Sequence, residues 1–163
     1  MPVPSIQTCL WYTDQAEPAA TLYCRLFPDA RITNIFRQGS APDAPAFMVE
    51  FTLMGQSYVA MNGGPHYTLT PAASIVAHVD TQAEVDDLWA ALLAGGGVQS
   101  RCGWLTDRYG LSWQIIPRAL PRLLQADRSG RVMQAMLGMV KIDVAGLEAA
   151  GLEAAGLEAA AQG

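Results

Sequence analysis

Charged residues are scarce in this sequence. Lysine and arginine number 10 and aspartate and glutamate 15, so charged residues make up 15% of the 163 positions and the net charge is −5. Apolar residues make up 51%, which excludes a disordered chain because so much apolar material forms a core. No cluster of lysine and arginine is suited to neutralise a row of phosphates, so we expect no nucleic-acid partner.

Long apolar runs and a basic leader are also missing. No run of about 18 consecutive apolar residues occurs, and the first five residues contain no basic stretch. We therefore expect a soluble, cytoplasmic protein with no membrane partner. The three cysteines, Cys9, Cys24 and Cys102, are odd in number and widely spaced, which predicts buried thiols rather than a disulfide framework or a zinc knuckle.

An internal repeat with an offset of 67 residues divides the chain. The segment Gln15–Glu17 recurs as Gln82–Glu84, and each copy follows a strand-like apolar run. Asp14 and Thr81 stand three residues before the two glutamates, which predicts a capping box at the start of each helix. Each half is therefore predicted to be a β-α-β-β(-β) module that needs a partner to cover its sheet.

Apolar periodicity places the individual elements. In the first half we predict a helix at 15–26 and strands at 6–12, 31–37, 46–53 and 57–61. In the second half we predict a helix that ends at Gly95–Gly97, strands at 75–79, 98–105 and 111–116, and a hairpin turn at 107–110. Helices at 120–125, 132–139 and 145–160 follow.

The C-terminal segment repeats Ala-Gly-Leu-Glu-Ala three times and places leucines at 147, 152 and 157. A step of five residues turns about 140° beyond a full revolution of a helix. The leucines therefore spiral around the helix, which excludes a coiled-coil seam. The pattern leaves two possibilities open for this tail, a helix or a frayed segment.

Three segments of the sequence are distinctive: CGWLTDRYGLSWQIIP at 102–117, MNGGP at 61–65 and RVMQAML at 131–137. Together they resemble PhnB-like proteins of the vicinal oxygen chelate superfamily, which includes glyoxalases, bleomycin-resistance proteins and extradiol dioxygenases. The resemblance implies an α+β fold of two paired βαβββ modules that form a mixed curved sheet around a cavity, often in a homodimer. It divides the chain into one domain at 1–145 (modules at about 4–68 and 72–117, helical extension at 118–145) and a tail at 146–163.

PhnB-like proteins often carry the name 3-demethylubiquinone methyltransferase. A methyltransferase that uses S-adenosylmethionine needs a glycine-rich turn after its first parallel strand. Because Gly95–Gly97 follows a predicted helix instead, we do not expect that activity. Whether the protein is an enzyme stays open.

The resemblance also implies a place for a divalent ion, held by the first and last strands of each module. The corresponding positions are Gln7, Ser74, Gln114, and Ala60 or a neighbour. None carries a carboxylate or an imidazole, and neutral amides do not repay the dehydration of a divalent cation. We therefore expect no metal and no other cofactor; a metal, if bound, would use Gln7 and Gln114.

The cavity itself does not depend on an ion. Strand alternation places Gln7, Cys9 and Trp11 on one face of the first module, and Ser74 and His78 on the corresponding face of the second. The predicted ligand-binding residues are therefore Gln7, Cys9, Trp11, Ser74, His78 and Gln114. Core packing is the competing interpretation for Cys9 and Trp11.

His78 and Cys102 are the weak catalytic candidates, as a cavity acid or base and as a nucleophile, and a structural role competes for both. His66, the other histidine, lies in a predicted loop. Arginines between Arg118 and Arg131 suggest either a rim that attracts an anionic substrate or a solvated helix surface. The leading hypothesis is a homodimer that binds a small organic molecule between its modules, and an anion is one option for that molecule. The alternatives are a metal-dependent lyase, isomerase or dioxygenase, and a non-catalytic interaction module.

Overall fold

A computed structural model describes residues 5–161, without the side chains of residues 158 and 161. Residues 1–4 of the predicted domain and residues 162–163 of the predicted tail lie outside the described residues. The chain divides between Thr70 and Pro71 into two units. This division falls between the two predicted modules.

Unit 1 contains one helix and four strands. In chain order they are β1 (Thr8–Tyr12), α1 (Ala16–Leu26), β2 (Ala30–Arg37), β3 (Ala46–Leu53) and β4 (Gln56–Asn62). The strand order is β1-β4-β3-β2, with β1 parallel to β4 and the other pairs antiparallel. The predicted tight hairpin between β3 and β4 is confirmed, because Met54 and Gly55 both have positive φ angles, of 49° and 81°.

Unit 2 repeats this arrangement and adds three helices. Its elements are β5 (Ser74–Val79), α2 (Gln82–Leu93), β6 (Val98–Gln99), β7 (Trp104–Thr106), β8 (Ser112–Pro117), α3 (Ala119–Ala126), α4 (Arg131–Leu137) and α5 (Val144–Ala161). The strand order β5-β8-β7-β6 matches that of unit 1, and β5 is parallel to β8. The predicted α+β fold of two βαβββ modules with a C-terminal helix is confirmed.

The single strand predicted at 98–105 is wrong. Two short strands, β6 and β7, replace it because Cys102 and Gly103 between them have φ angles of 58° and 80°, outside the extended region. The backbone N–H groups of these two residues donate to the carbonyls of Met139 and Val140, at 2.8 Å each. The segment that follows α4 is thereby fastened to this corner of unit 2.

One face of each sheet is apolar and packs against the helix of its own unit. In unit 1, Leu10 and Tyr12 are buried on this face, and the Tyr12 and Tyr23 hydroxyls lie 3.1 Å apart. In unit 2, Trp113 and Ile115 are completely buried on it. We call the opposite face of each sheet, turned away from α1 or α2, the distal face.

The capping box at α2 is confirmed. The Thr81 hydroxyl accepts a hydrogen bond from the Glu84 backbone N–H at 3.2 Å. The Glu84 carboxylate accepts in return from the backbone N–H groups of Thr81 and Asp80, at 2.9 and 2.8 Å. These bonds hold the pKa of Glu84 below its usual value, the bond from Thr81 being the largest cause. The reciprocal bonds between Thr81 and Glu84 are those of a capping box, and Asp80, one residue before the N-cap, adds a further donor.

The box predicted at α1 is wrong, since its N-cap residue Gln15 makes no side-chain capping bond. Two residues distant in sequence explain the difference. Asn62, at the end of β4, accepts from the Ala16 N–H at 2.8 Å and donates to the Ala46 carbonyl at 2.9 Å. Glu17 instead accepts from Arg37, at 2.8 and 2.9 Å. Tertiary partners replace the local cap.

The three C-terminal helices share a small core of their own, with buried residues Leu120, Val132, Ile142 and Leu147. The repeat leucines of α5 spiral as predicted: Leu147 is completely buried, whereas Leu152 and Leu157 are 76% and 46% exposed. Where the sequence left a helix or a frayed segment open, the structure contains one helix through Ala161. None of the helices within residues 5–161 has the length and apolar character needed to cross a membrane.

Candidate functional site

The distal face of unit 1 contains two of the predicted ligand residues. Cys9 and Trp11 lie beside Val59 and Met61 of β4. The prediction of a buried thiol is wrong for Cys9, which is exposed. Partial burial still raises the pKa of this thiol above its usual value, so the sulfur is protonated at neutral pH and is a poor nucleophile. Gln7 precedes β1 and is exposed.

Trp11 is fixed in place by the loop that follows β4. Its indole Nε1 donates to the Gly64 carbonyl at 2.9 Å, and its ring meets Tyr67 edge to face with 4.9 Å between the centroids. A Cβ on Gly63 would lie 2.1 Å from Trp11 Cζ2, so only glycine fits there. Gly63 of the MNGGP segment thus makes room for the indole. His66 in the same loop is exposed.

The distal face of unit 2 presents a neutral polar group made by three residues. Gln114 in β8 donates from Nε2 to the Ser74 hydroxyl in β5 at 2.9 Å. Ser112 pairs with Ser74 in the parallel register and is 1% exposed. Among the described residues its Oγ has no hydrogen-bond partner. A buried hydroxyl without a partner is uncommon in folded proteins and calls for an explanation.

His78 lies on the same face of β5 but away from this group. Four residues separate it from Ser74, which is about 13 Å along a strand at 3.3 Å per residue. It lines an open cavity of about 450 Å³ together with Asp80, Arg118, Pro121 and Arg122. The structure therefore brings Ser74 and Gln114 together and places His78 in different surroundings within the same unit.

Cys102 lies in a loop and not in a strand. Its positive φ angle and its backbone hydrogen bond to Met139 fix the corner before β7, and its side chain is half-buried. Cys102 therefore lies outside any strand, although the predicted strand 98–105 included it. Nothing around this thiol in the described residues marks it as a nucleophile.

The turn predicted at 107–110 is confirmed. The Asp107 carbonyl accepts from the Gly110 N–H at 3.0 Å, and Gly110 has a φ angle of 88°. The buried Asp107 carboxylate accepts from the backbone N–H groups of Tyr109 and Leu111 and from the Trp113 indole, at 2.8, 3.1 and 2.9 Å. This carboxylate serves the hairpin and is not available to a ligand.

The residues at the implied metal positions do not fit a divalent cation. In unit 2 the oxygens come from a hydroxyl, Ser74, and an amide, Gln114, and the two are already bonded to each other. Ala60 in unit 1 has no donor atom. Across the described residues, no three His, Cys, Asp or Glu side chains come together as a potential metal site. Uncharged oxygens alone compensate poorly for a dehydrated divalent ion.

Sequence reasoning missed two residues of the distal faces. Ser112 lies two positions before Gln114, so strand alternation would have placed it on the same face. Glu50 lies in β3 on the distal face of unit 1, half-buried and paired with Val59 of β4. A single charge inside the otherwise apolar run 46–53 was the available signal for it.

Comparisons with known proteins agree with this architecture. The profile of the family described as 3-demethylubiquinone-9 3-methyltransferase matches residues 4–116. The chain is similar to the PhnB protein from Bacillus cereus, with 29% identity and a TM-score of 0.63 over 70% of this chain and 99% of that one. Protein PA1353 from Pseudomonas aeruginosa, 20% identical, has the same fold, with a TM-score of 0.58 over 71% of this chain and 98% of that one.

A fosfomycin resistance protein, FosX from Listeria monocytogenes, matches with 16% identity and a TM-score of 0.49 over 72% of this chain and 94% of that one. No curated protein matches the sequence. The predicted resemblance is confirmed: the chain belongs to the family described as 3-demethylubiquinone-9 3-methyltransferase, whose PhnB-like members have the vicinal oxygen chelate fold.

Proposed function

We propose that this protein binds a small organic molecule on the distal faces of its sheets, as a homodimer and without a resident divalent ion. The supporting observation is the neutral polar group of Ser74, Ser112 and Gln114. An amide and two hydroxyls recognise a ligand through hydrogen bonds rather than through charge.

Ser112 carries most of this argument. A hydroxyl with 1% exposure and no partner among the described residues destabilises the free protein by about 1–3 kcal/mol. The proposal therefore requires that a ligand displace the side chains covering this hydroxyl and supply the missing hydrogen bond. Gln114 contributes the same kind of group, because its amide nitrogen is bonded to Ser74 and its carbonyl oxygen still accepts.

The uncharged oxygens of Ser74 and Gln114 favour binding without a metal. The connections between strand and helix disfavour the methyl transfer that the family name suggests. The two strand-to-helix connections, residues 13–15 and 80–81, contain no glycine. A glycine-rich turn at such a connection is what lets a backbone approach a nucleotide-like cofactor. We therefore take the family name as a label for relatedness and not as the activity of this chain.

The test combines ligand screening with a pair of serine variants. A panel of small neutral and aromatic molecules is screened for compounds that raise the unfolding temperature, since a ligand of the native state stabilises by mass action. Ser112→Ala is compared with Ser100→Ala, which removes an exposed hydroxyl from the loop between β6 and β7. We expect Ser112→Ala to raise the stability of the free protein and to weaken the binding of each compound found, whereas Ser100→Ala changes neither.

Three results would overturn the proposal. If no compound in the panel stabilises the protein, the chain is better described as an interaction module. A stoichiometric divalent ion in the purified protein, with ligand stabilisation lost on chelation, supports the metal-dependent enzyme instead. A monomeric mass in light scattering removes the homodimer.

A further inference from the structure

The open cavity of unit 2 lies at the carboxyl ends of two parallel strands. Val79 and Pro117 are the last register pair of β5 and β8, and the next residues, Asp80 and Arg118, line the cavity. Parallel strands of α/β sheets commonly place ligands in the crevice at their carboxyl ends.

The helical extension completes this cavity. Pro121 and Arg122, both in α3, line it together with the strand-end residues. These two residues lie beyond the matched segment 4–116 of the family. The cavity is therefore a feature of this chain's extension and is separate from the group around Gln114.

The charged side chains of the lining are two guanidinium groups, of Arg118 and Arg122, and one carboxylate, of Asp80. Arg118 pairs with Asp80 at 3.3 Å, but the two side chains are 60% and 70% exposed, and exposed pairs of this kind are weak. Arg122 donates only a long bond, of 3.4 Å, to the Arg118 carbonyl and has no carboxylate within ion-pair distance among the described residues. His78 adds an exposed imidazole.

Glu84 is a second carboxylate whose charge interacts with Arg118. Its oxygens accept from the backbone N–H groups of Asp80 and Thr81. Arg118 therefore has two carboxylates near it, and Arg122 is the guanidinium of the cavity that has no ion-pair partner among the described residues. An unpaired guanidinium in a chain whose net charge is −5 concentrates anions at that place.

We propose that this cavity binds a small organic anion through its oxyanion group, a phosphate or a carboxylate, held by Arg118 and Arg122 with His78 beside them. Guanidinium groups suit both headgroups, because their N–H donors match pairs of oxygens. Asp80 acts against binding, since its carboxylate occupies Arg118 in the free protein. The proposal does not depend on the function proposed above, which concerns other residues.

The experiment is isothermal titration of the full chain with phenyl phosphate and with benzoate, and with neutral benzamide as the uncharged comparison, all at one low ionic strength. Arg122→Gln removes the unpaired charge from the exposed surface of α3. Arg101→Gln removes the same charge from a residue of unit 2 that does not line the cavity. Asp80→Asn removes the competing carboxylate and leaves intact the hydrogen bond from the backbone N–H of residue 80 to Glu84.

We expect saturable binding of phenyl phosphate or benzoate and none of benzamide. Arg122→Gln should raise Kd about tenfold, which corresponds to about 1.4 kcal/mol and is close to the strength of a hydrogen bond to a charged group. Asp80→Asn should lower Kd, and Arg101→Gln should leave it unchanged. The anion with the lower Kd identifies the headgroup as phosphate or carboxylate.

Equal loss of binding in Arg122→Gln and Arg101→Gln would show a general charge effect and overturn the proposal. Benzamide binding as tightly as benzoate, or no saturable anion binding, would do the same. The Ser112→Ala variant should bind the anion with unchanged Kd, because Ser112 does not line the cavity. The anion site and the site around Ser112 can therefore each fail without affecting the other.

Discussion

The three identical repeats of α5 allow one substitution to be compared at three levels of burial. Leu147, Leu152 and Leu157 share the local sequence Ala-Gly-Leu-Glu-Ala, so their helix propensities and neighbours in sequence are the same. They are 0%, 76% and 46% exposed. Because the immediate sequence is shared, a difference of several kcal/mol between the leucine-to-alanine variants comes from tertiary packing; helix position differs only in that Leu147 lies in the first turn of α5 and Leu157 in the last two turns.

The expected cost follows from what Leu147 contacts. Its side chain lies in the small core with Leu120, Val132 and Ile142. Truncation to alanine loses about 2 kcal/mol of transfer free energy, and the remaining cavity adds about 1–2 kcal/mol. We expect Leu147→Ala to lower the unfolding free energy by about 3–4 kcal/mol, whereas Leu152→Ala stays within about 0.5 kcal/mol of the parent.

Urea unfolding followed by circular dichroism measures the global change, and amide hydrogen exchange of α5 detects opening confined to the C-terminal helices. If the extension opens locally, a loss of about 3 kcal/mol in its opening free energy accelerates amide exchange within α5 roughly a hundredfold in Leu147→Ala. This follows from about 1.4 kcal/mol for each tenfold change. Leu157→Ala should fall between the other two. Equal effects of Leu147→Ala and Leu152→Ala in both measurements would refute the docking of α5, and with it the position of α3 beside the anion cavity.

Three further outcomes test the fold. Thr81→Ala should lower the unfolding free energy by about 1 kcal/mol in urea titrations, whereas the equivalent Asp14→Ala should leave it unchanged because that side chain caps nothing. Gly63→Ala should lower it by about 1–3 kcal/mol and shift the fluorescence of Trp11, whose ring occupies the space; an unshifted spectrum contradicts this. The hydrogen bond from the Arg37 guanidinium lowers the pKa of Glu17 in the folded protein below its ordinary value of 4.5. The stability that this ion pair contributes is therefore present above pH 4.5 and is lost as the pH falls through the lower pKa of the folded state. Glu17→Gln should therefore flatten the acid limb of the stability profile, and an unchanged limb would count against the ion pair.

The repeat and most elements were predictable because they depend on local pattern. The two halves share an offset of 67 residues, and strand alternation with helical periodicity found α1, α2 and the long strands within two residues. The box at Thr81 was predictable for the same reason, since its donors and acceptors lie within one turn. The matching box at Asp14 failed because Asn62, 46 residues from Ala16, provides the capping oxygen, and no local pattern indicates such a partner.

The candidate sites were less predictable than the fold because they depend on register. Ser74 and Gln114 are 40 residues apart and meet only because β5 pairs with β8 in parallel. The anion cavity adds α3 to the ends of these strands, so the sequence could suggest an arginine rim but not that the rim shares a cavity with His78. Ser112 was overlooked because a serine at the start of a strand carries no signal of its own.

The two faces of each sheet explain this difference. The face against α1 or α2 excludes water, so it must be apolar, and Leu10 and Ala77 at an offset of 67 both satisfy that requirement. No such requirement acts on the distal face, where the same offset pairs Trp11 with His78. Packing therefore fixes one face in both units and leaves the other free to differ in chemistry. A ligand of this protein is to be sought through the distal faces and the helical extension, which is why the decisive variants are at Ser112 and Arg122 and not on the faces that pack against α1 and α2.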